Sequence, residues 1–406
     1  MADTVKTNLP AGEAPGEDWD PRSPAVLENQ IAAYDEIRQR CPVAHSDYLH
    51  WSLFRHGDVV RVLGDHDTFS NVVSTHLSVP NGMDPPEHGR FRRIIEPFFA
   101  DERIAAFEPD CREIAAGLVG RLPGDGEIEL MDSFAHDFAM QIQCAFMGWP
   151  ESLQQPMRHW ARRNQQATLS GDRAATAAVA TEFDGYIRDL LAERRAMGGK
   201  APDDATTRLL NQRLDDRALT EEEIVSIIRN WTVGELATIS ASTGILAHYV
   251  AVHPDLQQAL RPEPRKLPAA IDEILRMDAP LIANRRVTTC PVTLGGRRIA
   301  AGERVTILWA SANRDEAVFG DPDEYRTDRD PADNLLYGAG IHVCPGAGLA
   351  RLELRVLMEE LLAGTDRIAP APGGQAVRAV YPVGGFAVLP LHVTRPRRDA
   401  REKATD

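Results

Sequence analysis

A glycine-rich loop that carries a single cysteine directly before a helix limits the possible folds of this chain more than any other segment. The loop and the start of the helix read Tyr-Gly-Ala-Gly-Ile-His-Val-Cys-Pro-Gly-Ala-Gly-Leu-Ala-Arg over residues 337–351. Leucine and valine residues then recur at helical spacing as far as Gly364. This pattern predicts a helix of about four turns that begins just after Cys344.

Cys344 is placed at the positive end of that helix dipole. Such a position lowers the pKa of a thiol, and the neighbouring glycines leave the approach to the sulfur open. We therefore predict a stabilised thiolate that suits a soft metal. The alternative is a small buried hydrophobic residue, which is the usual role of a free cysteine.

The same stretch resembles the heme-binding loop of the cytochrome P450 family, whose pattern is Phe-x-x-Gly-x-x-x-Cys-x-Gly. A histidine two residues before the cysteine and Leu-Ala-Arg after it also match, while Tyr337 replaces the leading phenylalanine. The resemblance implies that Cys344 is the iron ligand of heme b. It also implies that Tyr337, His342 and Gly346 contact the cofactor, with His342 at a propionate. A thiolate ligand favours O–O cleavage.

The segment from Asp84 to Arg93 predicts a helix that Asp84 caps and whose first turn holds two prolines. His88 and Arg92 stand one turn apart on one face of it, an arrangement that suits a carboxylate. A solvated basic helix would explain the same pattern. The segment matches the family pattern Asp-Pro-Pro-x-His-x-x-x-Arg, and the resemblance implies that His88 and Arg92 hold heme propionates.

The clearest helix in the chain begins after Thr220. Thr220 and Glu223 form a capping box, and no proline follows before Pro254. The helix should extend over about 30 residues, or about 45 Å. A helix of this length crosses the whole molecule.

The middle of this helix, residues 233–238, resembles the Ala-Gly-x-Asp/Glu-Thr segment that passes over the heme on the oxygen side. Gly234 permits close approach to the backbone at a predicted break in the helix, and Thr238 aligns with the oxygen-side threonine. Ala237 replaces the usual acid, and Glu235 occupies a position that is usually small. We predict that Glu235, with Thr238 and water, replaces the missing acid, because burial would raise the pKa of its carboxyl. The alternatives are a Glu235 that faces a surface cation or only shapes the pocket, and a Thr238 bonded to the preceding turn.

A Glu-x-x-Arg pair, Glu273 and Arg276, lies on a short predicted helix after Pro268. Alone, such a pair would be a surface contact worth about 0.2–0.5 kcal/mol. It matches a family motif, and the resemblance implies that Arg329 completes a buried ionic cluster that supports the heme-binding loop. These three residues are expected to be structural rather than catalytic.

The polar stretch 71–83 predicts a loop, either an ordinary surface loop or, as in the resembled family, a cover over the distal pocket. The resemblance also assigns Arg286 to a propionate. An apolar turn after Pro280 and the tip of a hairpin near Gly384 are expected to reach the substrate. The predicted substrate-contacting residues are Leu236, Leu281, Ile282, Ala283 and Val383.

Composition allows a large core around a cofactor, since the chain has 406 residues of which 43% are hydrophobic. The net charge of −15 argues against nucleic acid as a partner. The sequence contains no apolar run long enough for a membrane span and no signal-peptide pattern, so we predict a cytoplasmic protein. Its five cysteines are scattered, which predicts neither disulfides nor an iron–sulfur cluster.

These features predict a mainly α protein with a small β region, in the cytochrome P450 fold, with heme between the long central helix and the cysteine loop. One heme-binding domain is expected over residues 21–394. A flexible N-terminal arm (1–20) should precede it, and a charged tail or the start of a linker (395–406) should follow. We expect a monomer.

The predicted function is a heme-thiolate monooxygenase that inserts one oxygen atom of O₂ into a small apolar or aromatic substrate, by hydroxylation or O-demethylation. The chain carries no dinucleotide fingerprint, so electrons from NAD(P)H should arrive through a ferredoxin and its reductase. Arg90, Arg93 and Arg355 are expected to face that acidic ferredoxin. The sequence also looks like the heme portion of the self-sufficient subgroup, in which a flavin and [2Fe-2S] reductase follows on the same chain. A peroxide-driven peroxygenase and a heme-thiolate gas or redox sensor are the alternative functions.

Overall fold

The structure, a computed structural model, describes residues 16–396. Helices α1–α15 span Pro24–Glu28, Gln30–Arg40, His56–Gly64, Glu87–Ile95, Asp101–Gly120, His136–Met147, Gln154–Ser170, Arg173–Met197, Ala205–Leu210, Glu221–Val252, Pro254–Leu260, Leu267–Met277, Trp309–Ala312, Glu316–Phe319 and Ala347–Ala363. Strands β1–β14 span Val43–Ser46, His50–Leu53, Phe69–Ser70, Asp125–Glu129, Arg213–Leu214, Arg217–Ala218, Ala283–Thr288, Val292–Leu294, Arg297–Ile299, Arg304–Leu308, Arg367–Pro370, Val377–Arg378, Phe386–Val388 and Pro390–Thr394. The fold is mainly α with a small β region, as the sequence predicts.

Helix α10 is the central element, and its 32 residues begin at the predicted capping box. The Thr220 hydroxyl accepts a hydrogen bond from the backbone N–H of Glu223, whose carboxylate accepts one from the N–H of Thr220. The predicted break at Gly234 and Thr238 is wrong, because the helix continues through both residues. Within residues 16–396 no helix, α10 included, is long and apolar enough to cross a membrane.

The largest sheet has five strands in the order β1-β2-β10-β7-β3, with β2 and β10 parallel and the other neighbours antiparallel. Its strand β7 carries Arg286 opposite Val305 of β10. Strands β8 and β9 form a hairpin that turns at Gly295 and Gly296, and both glycines have positive φ, 51° and 79°. The sheet therefore delivers one of the predicted propionate residues to the interior.

The two ends of the described chain are packed more tightly than the sequence predicts. The arm predicted over residues 1–20 lies mostly outside the described residues, but Trp19 is buried against Tyr34 and Phe54. At the other end, residues 397–406 of the predicted tail also lie outside the described residues. Arg395 donates hydrogen bonds to the carbonyls of Gly120 and Leu122. Both predicted boundaries therefore fall inside packed structure.

Candidate active site

The cysteine loop is held by its own backbone and by helix α3. The N–H of Cys344 donates to the carbonyl of Tyr337 at 2.9 Å, which closes the loop. Gly340 has a φ of 70°, and a Cβ there would lie 2.4 Å from the carbonyl oxygen of Leu63. No other residue fits this position, because the conformation and the contact both exclude a side chain.

Helix α15 begins three residues after Cys344, as predicted, and ends before Gly364. The exposed surface of Cys344 faces a cavity inside the protein. Burial raises the pKa of its thiol, and the backbone hydrogen bond from Gly346 and the charge of Arg92 only oppose this effect. In the protein alone the net shift of the thiol pKa is therefore upward, opposite to the predicted direction. Binding of a metal to the sulfur would remove the proton.

A cavity of about 580 Å³ separates the cysteine loop from α10. On the α10 side it is lined by Gly234, Glu235, Thr238 and Ser242. A Cβ built at Gly234 would meet no atom within 4 Å, so the glycine widens the cavity rather than admitting a packed neighbour. The Thr238 hydroxyl donates to the carbonyl of Gly234 at 2.8 Å, the bond to the preceding turn that was the alternative for this residue.

Buried nitrogen donors gather at one edge of the cavity. His88, Arg92 and Arg286 are 4%, 9% and 3% exposed, and the rings of His88 and His342 are 4.1 Å apart. Nε2 of each histidine is buried without a hydrogen-bond partner among the described residues. Burial and the neighbouring positive groups lower the pKa of His342 to about 3, and burial lowers the pKa of Arg286 to about 10. Such a cluster is suited to an anionic group.

The helix that carries His88 starts differently from the prediction. Helix α4 begins at Glu87 without a side-chain cap, and Pro86 precedes it. The carboxylate of Asp84 instead accepts hydrogen bonds from the Ser70 hydroxyl and from the backbone N–H of Asn71. Asp84 therefore fixes the start of the 71–83 loop rather than the helix.

The 71–83 loop covers the cavity, as the resemblance implies. Ser226 of α10 accepts a hydrogen bond from the N–H of Val79 at 2.9 Å, and the Asn230 amide donates to the carbonyl of Val79 at 2.9 Å. The loop and α10 add polar side chains to the cavity wall, including Asn71, Ser74, Asn81 and Asn230. Sequence reasoning missed these residues because no motif marks them.

Of the five predicted substrate-contacting residues, Leu281 lines the cavity. Among the described residues, the cavity wall does not include the other four. Ile282 and Ala283 instead pack in a core with Tyr34 and Phe54. The other two residues outside the wall are Leu236, which is buried, and Val383, which forms a β-bridge with Leu281.

Tyr337 lines the cavity, and the guanidinium of Arg351 lies 4.4 Å from its ring centroid. Its hydroxyl is buried without a partner among the residues described. Burial raises the pKa of Tyr337, so the phenol stays neutral. The tyrosine therefore fills the aromatic position of the loop motif and adds a hydrogen-bonding group to it.

The predicted ionic cluster is present and buried. Arg276 binds both carboxylate oxygens of Glu273, at 2.7 and 2.9 Å, and Arg329 donates to the same carboxylate at 3.0 Å. Arg276 also donates to the carbonyls of Asn313 and Pro322, at 2.7 and 3.0 Å. The cluster thereby joins helix α12 to the chain segment that leads into the cysteine loop.

Among the described residues no cationic side chain pairs with Glu235, contrary to one of the alternatives. Its carboxyl lies against that of Glu353 on α15, and burial raises the pKa of both groups. Glu353 was missed, although its position could have flagged it. It lies four residues after Leu349 and three before Val356, on the apolar face of the helix.

Two of the three arginines expected to face a redox partner are already paired. Arg90 binds Asp215, and Arg355 binds Glu108 at 2.7 Å. Arg93 is exposed and pairs with no acidic side chain in the described part of the chain. The predicted positive face is therefore weaker than the sequence suggests.

Comparison with known proteins supports the same family over most of the chain. The family model described as cytochrome P450 matches residues 164–364. Vitamin D(3) 25-hydroxylase of Pseudonocardia autotrophica is 32% identical over 380 residues, which are 88% of this chain and 91% of that protein. Erythromycin C-12 hydroxylase of Saccharopolyspora erythraea is 31% identical over 347 residues, which are 82% of this chain and 86% of that protein.

Solved structures agree with the fold. A mutant of P450 EryK in complex with erythromycin B has a TM-score of 0.82 at 28% identity, over 92% of this chain and 98% of that chain. CYP109Q5 from Chondromyces apiculatus has a TM-score of 0.81 at 28% identity, over 93% of this chain and 98% of that chain.

The fold and the cysteine-facing cavity define a heme-thiolate oxygenase. The chain belongs to the cytochrome P450 family, and it is a monooxygenase whose cofactor is heme b. These relatives are matched over nearly their whole length. They support a bacterial cytochrome P450 and give no support to the predicted likeness to the self-sufficient subgroup.

The residues at the cavity fit this cofactor. A free sulfur lies on one wall, an open glycine backbone lies on the other, and buried donors without acceptors lie at the edge. Heme b presents iron, a flat apolar ring and two carboxylates, which match these three features in turn.

Proposed function

We propose that this enzyme inserts one oxygen atom of O₂ into an organic substrate bound between α10, the 71–83 loop and Leu281. The supporting observation is the single cavity wall that joins Cys344 on one side to Gly234 and Thr238 on the other. When bound, heme b supplies the chemistry that activates O₂ with two electrons, so that one oxygen atom of the O₂ enters the substrate.

In this proposal Cys344 is the iron ligand, and the Gly346 N–H stabilises its sulfur. His88, Arg92, Arg286 and His342 hold the propionates. The neutral state of both histidines suits donation of one hydrogen bond each, while the two guanidinium groups neutralise the charge. These four residues would hold the bound ring in the cavity, whose wall also includes Thr238.

The proposed substrate is mainly apolar and carries a small number of hydrogen-bonding groups. Leu281, Val73 and Ile239 form an apolar wall, while Asn71 offers an amide that a pure hydrocarbon would leave unpaired. Hydroxylation or O-demethylation remains the proposed chemistry. Relatives are named for vitamin D(3), erythromycin and cyclomarin C, which supports larger candidates beside the small aromatics.

We propose that electrons reach the protein from NAD(P)H through a ferredoxin and its reductase, with a reductase on the same chain as the alternative. The exposed Arg93 is the residue of the proposed face with no acidic partner among those described. A cytoplasmic location and a monomer complete the proposal. Throughout residues 16–396 the cysteines are free, which suits a reducing compartment.

The test combines binding and turnover. A panel of small aromatics, terpenes, steroids and macrolides would be screened for a spin-state change in the heme spectrum. Hits would then be assayed with NAD(P)H and ferredoxin partners, with peroxide alone, and with neither. Product only with the electron donors supports the monooxygenase. Product with peroxide alone would indicate a peroxygenase, and binding without product in any arm would contradict both.

Cys344→Ser tests the iron ligand. We expect this variant to lose the long-wavelength absorption band that the reduced, CO-bound protein shows with a thiolate ligand. Cys290→Ser is the matched control, because Cys290 is exposed and is not part of the cavity wall. A Cys344→Ser protein that keeps the band would refute the assignment.

A further inference from the structure

Two glutamates from different helices meet in the interior, and no cationic side chain of the described chain pairs with them. Glu353 of α15 is 0% exposed, and Glu235 of α10 lies against it. Both carboxylate oxygens of Glu353, and Oε1 of Glu235, are buried and have no hydrogen-bond donor among the described side chains and backbone. No arginine or lysine in residues 16–396 forms an ion pair with either residue.

Other titratable groups around the pair offer no positive charge. They are Cys111 of α5, and Tyr337 and Cys344 of the cysteine loop. Thiols and phenols are neutral when protonated, and burial raises the pKa of each, so these groups stay neutral. The pair must therefore relieve its own repulsion.

Two carboxylates in contact inside a protein cannot both be ionised at low cost. If one of them keeps its proton, the acid donates a hydrogen bond to the other, and oxygens that otherwise lack a partner gain one. Burial identifies the donor. Glu353 is the more deeply buried of the two, with both of its oxygens away from solvent, so Glu353 is the acid and Glu235 the acceptor.

Only one member of the pair borders the cavity. Glu235 lies in its wall one turn before Thr238, whereas Glu353 is behind Glu235 and fully buried. The chain has Ala237, which carries no proton, directly before Thr238. A proton that leaves the pair toward the cavity therefore leaves through Glu235.

We propose that Glu235 and Glu353 form a one-proton reservoir that serves the cavity. Glu353 transfers its proton to Glu235 along their hydrogen bond, and Glu235 gives it to a water or substrate oxygen in the cavity. The pair is left with two ionised carboxylates, and a solvent proton, carried by water that enters the cavity, restores its single proton before the next turnover. This inference rests on the proposed oxygenation, since that reaction consumes protons in the cavity.

The first experiment reads the proton directly and requires no turnover. Infrared spectra of the heme-loaded enzyme would be recorded in H₂O and D₂O for the wild type, Glu235→Gln, Glu353→Gln and the double variant. Glu222→Gln is the matched control, because Glu222 is an exposed glutamate on the same helix as Glu235. Glutamine preserves the size of each side chain and removes its acid.

We expect a carbonyl band of a protonated carboxylic acid at neutral pH in the wild type and the control. The band should shift in each single variant and disappear in the double variant. Absence of the band in the wild type, or its persistence unchanged in the double variant, would overturn the inference. The wild-type result alone remains decisive if a variant fails to fold.

The second experiment measures product formed per NAD(P)H consumed, together with the solvent isotope effect. We expect Glu353→Gln to lower this yield by about tenfold. This is less than the 10²–10⁴-fold increase in rate that a positioned acid contributes. Its solvent isotope effect should rise, and Glu222→Gln should match the wild type. A Glu353→Gln protein with wild-type yield and isotope effect would refute the reservoir, whereas a wild type that forms no product would refute the proposed function instead.

Discussion

Removal of Arg276 is the sharpest test of how the cysteine loop is supported. Arg276→Ala deletes two charge-assisted hydrogen bonds to Glu273 and leaves the carbonyls of Asn313 and Pro322 without that donor. Glu273 keeps Arg329 as a partner, at 3.0 Å. Arg276 is 1% exposed and Glu273 is 5% exposed, so water cannot replace the lost donors.

The expected loss in the free energy of unfolding is about 3–5 kcal/mol, which is the cost of removing one partner of a buried ion pair. Because domains are stable by only about 5–15 kcal/mol, this loss should also reduce the fraction of protein that retains heme. Arg329→Ala should cost less, since Glu273 then keeps both of its bonds to Arg276.

Chemical denaturation of the heme-free protein and the heme-to-protein ratio after purification measure the two effects. Arg326→Ala is the control on the same segment. Its side chain is exposed and binds Asp328, while its backbone N–H, which the variant keeps, donates to Glu273. This control should change stability by about 0–1 kcal/mol. If Arg276→Ala is no less stable than Arg326→Ala, the cluster does not support the loop.

Three further predictions concern charge. Arg286→Ala should lower heme retention without unfolding the protein. Equilibrium transfer of heme to apomyoglobin would measure this retention. Equal retention in the variant and the wild type would exclude a role of Arg286 at a propionate. The folded-state pKa values of Glu235 and Glu353 are raised, so the stability gained by their protonated form is present at low pH and is lost as pH rises. As the pH rises above about 4.5, the ordinary pKa of a glutamate, the wild type should lose up to about 1.4 kcal/mol per pH unit for each proton relative to Glu235→Gln/Glu353→Gln, as measured by denaturation. Parallel curves would contradict the shifts. Arg93→Glu should slow reduction by an acidic ferredoxin and weaken its salt dependence in stopped-flow experiments, whereas Arg355→Glu should first disrupt the bond to Glu108; unchanged reduction in Arg93→Glu would move the docking face elsewhere.

The sequence predicts what depends on neighbours along the chain. The capping box at Thr220 and the helix from Ala347 are set by local hydrogen bonds and by spacing, and both were predicted correctly. The residues of the site that were missed or misplaced have a different explanation. Glu235 and Glu353 are 118 residues apart in sequence, so their contact is a property of helix packing that no local pattern carries.

Charged residues were hardest to place because their partners are non-local. Asp84 has the position of a helix cap but binds Asn71 in the preceding loop. Arg90 was expected at a docking face but is neutralised by Asp215. Glu273 and Arg276 were placed correctly because they match a family motif. The resemblance to the family already implies which side chains meet in three dimensions.

The contact between Gly340 and the backbone of Leu63 restricts how this enzyme can be rebuilt from parts of its relatives. A carbonyl oxygen occupies the space that a Cβ at residue 340 would need. Residues 337–346 and helix α3 therefore form a matched pair although they are far apart in the chain. A chimera that exchanges either segment must take the other from the same parent, whereas exchange of the 71–83 loop alone leaves this junction intact.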